Sequence, residues 1–209
     1  MRSAPRRDSR RALLPGTARR RAGIARLHAR PVTRARALSL AELARIIAPL
    51  QGGDVRVLRD RALLLVGFFG ALRRSEIVAL DVASHPPARA LTDYLAATQI
   101  TSGPLFRAVS RGGRLLERRL DATSLRHILR TRTAAAFAGE DAAGIAARLL
   151  RLSPHSLRAG LITAAAAHGA PEYAIQVSSR HASPAVLRTY IRPADAFAAG
   201  VGAYLKDVR

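Results

Sequence analysis

Residues that could carry chemistry gather in three short polar clusters of this 209-residue chain. One cluster, S-P-H-S-L-R-A-G, places His155 and Arg158 three positions apart, so on a helix their side chains share one face, about 5–6 Å apart. Ser153 and Pro154 predict the start of this helix, and the free N–H groups of a first helical turn favour an anion. The pair therefore predicts a phosphate site, although a surface pair on a basic helix has the same spacing. The other clusters are A-L-R-R-S-E, with Arg73, Arg74 and Glu76, and R-H-A-S-P-A-V-L-R-T-Y, with His181 and Tyr190.

The elements that must position these clusters are mostly helices. Ser39 and Glu42 match a capping box ahead of apolar residues at helical spacing. Residues 59–70 are apolar nearly all round after their opening charges, which indicates a helix buried in the centre of the domain. Gly169 is placed to end the helix that carries Arg158.

A second set of signals predicts the remaining architecture. Residues 103–120 resemble a small hairpin that turns at Gly112 and Gly113. Asp121 is placed to cap a following helix, and Ser183 with Pro184 predicts the start of the helix that leads to Tyr190. We expect a mainly α fold with at most a small β-hairpin.

The charge of the chain is strongly positive. Lys+Arg residues number 35 against 14 Asp+Glu, the formal net charge is +21, and every basic residue except Lys206 is arginine. Such a balance favours a polyanionic partner, nucleic acid first, although an Ala/Arg-rich composition also arises from genome bias. The sequence predicts neither a metal site nor a cofactor: it has no cysteine, and its histidines lack metal-ligand spacing. It has no apolar run that could span a membrane and no secretory signal, so we expect a cytoplasmic protein.

The N-terminal segment, residues 1–36, has its own character. It holds twelve arginines and a single acid, Asp8, without a helical apolar stripe. We predict a disordered basic arm that contacts DNA phosphates through residues such as Arg19, Arg20 and Arg21, and a single folded domain over residues 37–209. A solvated tail, or the remnant of a domain, would give the same pattern.

The order and spacing of the three clusters together resemble the tyrosine recombinases, the phage integrase family. The resemblance rests on Arg73, the H-x-x-R of His155 and Arg158, His181 and Tyr190, and on flanking text such as R-D-R-A-L-L-L-V-G-F-F-G-A-L-R-R-S-E and H-S-L-R-A-G-L-I-T-A-A-A-A-H-G. It covers most of residues 38–198 and implies the helical catalytic-domain fold of that family.

The resemblance also implies a role for each site residue. Tyr190 would attack the scissile phosphodiester and form a 3′-phosphotyrosyl intermediate, which needs neither metal nor ATP. Arg73 and Arg158 would bind the non-bridging oxygens, His155 would assist proton transfer and His181 would hydrogen-bond the phosphate. Glu76 would orient an arginine from behind the site.

Two departures from the family pattern bear on activity. Family members carry a hairpin lysine that protonates the leaving 5′-oxygen, but residues 83–87 are too few for a hairpin there, and Lys206 is the sole lysine. Residues 1–36 are too short and too polar for the helical domain that usually precedes the catalytic one.

Three interpretations follow. The chain is a site-specific recombinase or integrase of double-stranded DNA, with full or weakened activity, and the resemblance implies a homo-tetramer on DNA. Alternatively it is a catalytically defective, DNA-binding remnant of an integrase. Third, it is a nucleic-acid-binding module whose motifs match by accident. Among other tyrosines, Tyr94 and Tyr173 are predicted core residues, and Tyr204 has the wrong spacing from His181.

Overall fold

The structure, a computed structural model, describes residues 35–84, 89–181 and 183–188. The proposed arm residues Arg19, Arg20 and Arg21, and the predicted nucleophile Tyr190, lie outside these ranges. The helices are α1 (Leu40–Ile47), α2 (Val55–Phe69), α3 (Arg74–Ala79), α4 (Arg89–Thr98), α5 (Ala122–Ala136), α6 (Ala142–Leu149), α7 (His155–Ala167), α8 (Glu172–Ser179) and α9 (Pro184–Arg188). A 3₁₀ turn spans Val82–Ser84, and two strands, β1 (Arg107–Val109) and β2 (Leu115–Arg119), form the sheet. No helix in this described part is both long and apolar enough to cross a membrane.

Helix starts follow the predicted capping chemistry. The hydroxyl of Ser39 accepts a hydrogen bond from the Glu42 backbone N–H, and the Glu42 carboxylate accepts one from the Ser39 N–H, so the capping box is confirmed. Asp121 caps α5 as predicted. Helix α2 begins earlier than the apolar run suggested, because Asp54 caps it at Val55 and the charged residues ahead of the run are also helical.

The core is built around α2, which packs against α4 and α7. Leu63, Leu64 and Phe68 of α2 are fully buried, as the all-round apolar pattern predicted. Glycines allow the close contact with α7. A Cβ at Gly160 would lie only 2.2 Å from the Leu38 carbonyl oxygen and 2.5 Å from the Phe68 ring. Close packing against the core therefore holds helix α7, which carries His155 and Arg158, in position.

The predicted hairpin is present and lies beside the end of α3. Strands β1 and β2 are antiparallel, with Arg107 opposite Arg119, and Gly113 in the connecting turn has a φ of +86°. Arg119 donates hydrogen bonds to the carbonyls of Val78 and Leu80 and forms an ion pair with Asp81. The sheet therefore fixes the segment that follows α3. Over the described residues the fold is mainly α with one small antiparallel sheet, which confirms the predicted fold class.

A buried ionic cluster joins α2 to α5, and sequence analysis did not predict it. The carboxylate of Asp60, 3% exposed, accepts hydrogen bonds from Arg59 at 2.7 and 3.0 Å and from Arg132 at 2.9 Å. Because a carboxylate in low dielectric is costly without partners, this double pairing is what makes its burial tolerable.

Arg36 belongs to the folded part of the chain, although it closes the predicted basic arm. Its backbone N–H donates to the Arg151 carbonyl at 3.2 Å, its Nε donates to the Arg148 carbonyl at 2.8 Å, and its Nη1 pairs with Glu42 at 2.9 Å. The arm itself stays a prediction, and an arm deletion that preserves the fold should end before Arg36.

Candidate active site

Arg73 and Glu76 form one unit at the start of α3. Arg73 is the residue before the helix, and its backbone N–H donates to Glu76 Oε2 at 2.7 Å while its Nη1 donates to Oε1 at 2.8 Å. The side chain of Arg73 is 44% exposed, so its remaining donors can reach a ligand. Burial alone would raise the pKa of Glu76, but these hydrogen bonds and the charges of Arg180 and Arg73 outweigh it, and the pKa is lowered. Glu76 is therefore a carboxylate at neutral pH.

Arg158 is the buried cation of the site. It is 2% exposed, and its Nη1 donates to the carbonyl oxygen of Ala71 at 2.6 Å. Its Nη2 lies 3.3 Å from Nε2 and 3.4 Å from Nδ1 of His181. A planar guanidinium fixed on one edge by a backbone carbonyl is held in orientation before any ligand arrives.

His181 is mostly buried, 8% exposed, and its ring orientation is set by Ser179. The Ser179 hydroxyl donates its proton to the Ile175 carbonyl at 2.6 Å, so at 2.7 Å its oxygen accepts from Nδ1–H of His181. Nε2 is then the acceptor nitrogen that faces Arg158. Burial, followed by the positive charges of Arg158 and Arg73, lowers the pKa of His181, and the ring is neutral near pH 7.

His155 stands at the first position of α7, exposed at the surface. The protein around it displaces water, and the positive charges of Arg74, Arg158 and Arg73 add to that effect, so the pKa of His155 is lowered. The sequence placed Ser153 at the N-cap with Pro154 inside the helix, but Pro154 itself is the N-cap. Ser153 instead accepts the Ser156 N–H through its carbonyl and donates its own N–H to the Ser156 hydroxyl. The first turn of α7 therefore begins without a hydrogen bond from a capping side chain.

The structure brings together five of the six residues that the sequence proposed for the site. Arg158 contacts His181, Arg73 contacts Glu76, and the charges of Arg73 and Arg158 act on both histidines. Helix α9 approaches the predicted nucleophile in sequence, but Tyr190 lies outside the described residues. The five groups offer an anion two guanidinium groups, one of them pre-oriented, and two imidazoles whose lowered pKa favours the neutral ring.

Two helix ends set the positions of the site segments. At the end of α2, Leu72 N–H bonds to the Gly67 carbonyl and Ala71 N–H to Phe68, which is a Schellman motif with Ala71 left-handed at a φ of 45°. At the end of α8, Arg180 occupies the same place at a φ of 53° and precedes His181. These turns direct the Ala71 carbonyl to Arg158 and the His181 ring toward the same guanidinium.

Three residues at the site were missed by sequence reasoning. Ser179 orients His181, Ala71 supplies the carbonyl that anchors Arg158, and Arg180 contacts Glu76 at 3.1 Å. Arg180 stands where a glycine usually ends a helix, and this unusual residue type was a signal in the sequence that its side chain has a role. For Ala71 and Ser179 the decisive atom is a carbonyl or a hydroxyl placed by tertiary packing, and the sequence carries no signal for either.

The remaining tyrosines differ in burial. Tyr94 is fully buried, as predicted, and packs near Phe106 with ring centroids 6.1 Å apart. The prediction was wrong for Tyr173, which is 73% exposed, because its helix α8 buries Ile175 and Ser179 on the opposite face. Tyr204 lies outside the described residues.

Comparison with known proteins gives one curated relative and several solved structures. The chain is 30% identical to the integrase/recombinase XerD homologue of Selenomonas ruminantium over 175 aligned residues, 67% of this chain and 49% of the relative. No family model matches the chain. Over its matched part, the chain belongs to the tyrosine recombinase family.

Solved tyrosine recombinases share the fold. The crystal structure of XerA recombinase superposes with a TM-score of 0.58 at 21% identity, over 78% of this chain and 60% of that one. XerH site-specific recombinase bound to difH substrate, in a pre-cleavage complex, gives 0.55 at 14% identity over 82% and 54%. Our chain spans about half the length of the curated relative it matches, so it corresponds to part of that recombinase.

Proposed function

We propose that this chain is a site-specific tyrosine recombinase that cuts and rejoins double-stranded DNA, with Arg73, Arg158, His155, His181 and Tyr190 as its catalytic residues. The observation that carries the proposal is the buried Arg158, fixed on the Ala71 carbonyl at 2.6 Å and in contact with His181. A guanidinium held in orientation by a backbone carbonyl matches the geometry of a phosphate group, and binding such an anion is the use that fits it best. The net charge of +21 suits a DNA partner.

In the proposed reaction the Tyr190 hydroxyl attacks the scissile phosphorus. The tyrosine gives its proton to His155, a bond forms from its oxygen to phosphorus, and the bond to the 5′-oxygen breaks. The leaving 5′-oxygen takes a proton from solvent, which leaves a 3′-phosphotyrosyl link and a free 5′-hydroxyl. Because the phosphate gains charge at the transition state, Arg158 and Arg73 stabilise it more strongly than the ground state. A 5′-hydroxyl from a partner strand then reverses the steps, so no external energy source is needed.

The two histidines suit proton transfer in different ways. His155, exposed and neutral, can accept the proton of the attacking tyrosine. His181 has Nδ1–H committed to Ser179, so its Nε2, beside Arg158, carries the lone pair and can accept the proton of a phosphate oxygen. Tyrosine ordinarily titrates near pH 10, so the neighbouring guanidinium charges are what would make its oxyanion accessible.

A second candidate is a DNA-binding protein that does not cleave. Helix α3 ends at Ala79 and α4 begins at Arg89, which leaves residues 80–88 between them, and the sole lysine of the chain is Lys206. If the leaving 5′-oxygen has no general acid, the rate falls by about 10²–10⁴-fold. This candidate keeps the scaffold and the phosphate-binding arginines and loses turnover.

A covalent-capture experiment separates the two candidates. A pool of nicked duplexes with a randomised centre is incubated with the full chain, and SDS-resistant protein–DNA adducts are recovered and sequenced. We expect adducts with the wild type and none with Tyr190→Phe or Arg158→Ala, while Arg126→Ala, which removes an exposed arginine, retains them. Salt-dependent binding without any adduct would support the non-cleaving candidate, and absence of both binding and adduct would contradict both.

A further inference from the structure

Arg180 has a backbone conformation that arginine rarely adopts. It ends α8 in the left-handed region with φ 53° and ψ 42°, and its N–H donates to the carbonyls of Gln176 and Val177. Helix α7 ends with the equivalent residue Gly169, at a φ of +75°. Glycine is favoured at this position because it has no Cβ, so arginine here carries a cost in stability.

The side chain of Arg180 connects two parts of the site that are far apart in sequence. Its Nη2 donates to Glu76 Oε2 at 3.1 Å and lies 3.4 Å from the Gly70 carbonyl oxygen. The same Oε2 atom accepts the backbone N–H of Arg73 at 2.7 Å. Arg180 therefore ties the segment that carries His181 to the turn that carries Arg73.

The charges of this arrangement matter for an anion. Without Arg180, the Glu76 carboxylate would be paired with Arg73 alone, and the two charges would cancel. With Arg180 on Oε2, the three residues together keep one positive charge. The guanidinium of Arg73, 44% exposed, can then attract an anion without being neutralised by its own partner.

We propose that Arg180 is a positioning residue for the phosphate site, acting through Glu76. It supplies the cation that balances this carboxylate and holds the His181 segment against Arg73. The inference rests on the proposed phosphate-binding role of the site, but it does not require that the bound phosphate be cleaved. A purely structural role is the alternative, and it predicts an effect on stability with none on anion affinity.

Arg180→Gly is the informative variant because it removes the guanidinium and also removes the unfavourable left-handed conformation of a non-glycine residue. Arg151→Gly is its matched control. Arg151 is also an exposed arginine in the left-handed region, at a φ of 57°, and within the described ranges no hydrogen bond joins its side chain to another group. Both variants lose one positive charge and one unfavourable conformation, and Arg180 alone contacts Glu76.

The assay is titration of the full chain with inorganic phosphate, read from the ring signals of His155 and His181 by NMR. We expect Arg180→Gly to weaken phosphate binding about fivefold, Arg151→Gly to leave it nearly unchanged, and Arg180→Lys to recover part of the loss. In a Glu76→Gln background, Arg180→Gly should change the affinity less than twofold, because the carboxylate it balances is gone.

Three results would overturn the inference. They are equal phosphate affinity in Arg180→Gly and Arg151→Gly, an undiminished Arg180→Gly effect in the Glu76→Gln background, and a wild type whose histidine signals do not respond to phosphate. Wild-type protein that binds phosphate, shows the Arg180 effect and forms no DNA adduct would refute cleavage while supporting the role of Arg180.

Discussion

Gly160→Ala tests whether close packing of α7 places the proposed catalytic side chains that this helix carries. The new Cβ would lie 2.2 Å from the Leu38 carbonyl oxygen, and ordinary contact begins at 3.4 Å, so the two segments must separate by more than 1 Å. The Phe68 ring would also lie only 2.5 Å from the new Cβ, so it too must move. Alanine gains about 1 kcal/mol of helix propensity over glycine, while overpacking costs about 1–3 kcal/mol, and more against backbone. We expect a net loss of about 2 kcal/mol.

Equilibrium unfolding in urea measures this loss, and circular dichroism is the suitable probe because the chain is mainly helical and has no tryptophan. Gly53→Ala is the control, since a Cβ there meets nothing within 4 Å and the residue has no positive φ. Its free energy of unfolding should stay within about 0.5 kcal/mol of the wild type.

The same substitution should affect the site. The Leu38 N–H donates to the Ser156 carbonyl at 3.1 Å, so separation of Leu38 from α7 breaks a hydrogen bond two residues before Arg158. In the absence of urea, where both variants are folded, we expect Gly160→Ala to bind phosphate more weakly than Gly53→Ala. A Gly160→Ala protein as stable as the wild type would refute the packing argument.

Three further outcomes are expected. Asp60→Asn should cost about 3 kcal/mol in urea unfolding, because it leaves Arg59 buried without its anion, whereas the exposed Asp93→Asn should change little. Arg74→Ala should raise the NMR-measured pKa of His155 and leave that of His181 unmoved, since the charge of Arg74 acts on the former alone; parallel shifts of both would contradict the assignment. Burial by itself raises the pKa of Glu42, but hydrogen bonds from Arg36 and Ser39 lower it overall, so the ionised carboxylate stabilises the fold. The difference in unfolding free energy between wild type and Glu42→Gln should therefore be complete above pH 4.5, and it should vanish as the pH falls through the lowered pKa.

Most elements of the fold were predictable because their signals are local. The capping box of Ser39 and Glu42, the cap at Asp121 and the turn at Gly112 and Gly113 each depend on residues within a few positions of one another. Errors fell at helix starts, as at Asp54 and Pro154, where a neighbouring residue takes over the cap. Tyr173 was placed in the core because periodicity gives the faces of a helix but not which face finds a partner.

For the site, the sequence by itself determined the identity of the chemical groups. Residue types and order along the chain were enough to select Arg73, His155, Arg158 and His181, because that order resembles the recombinase pattern. It also determined the positive charge that suits DNA, since charge depends on composition alone.

Tertiary structure decided which groups act on one another. The Ala71 carbonyl fixes Arg158, the Ser179 hydroxyl sets which nitrogen of His181 carries the proton, and Arg180 reaches Glu76 across 104 positions of sequence. Each of these contacts depends on how α2, α7 and α8 end and pack. No residue type or spacing encodes such a contact, because a hydrogen bond needs two atoms within about 3 Å and that distance is set by the whole fold.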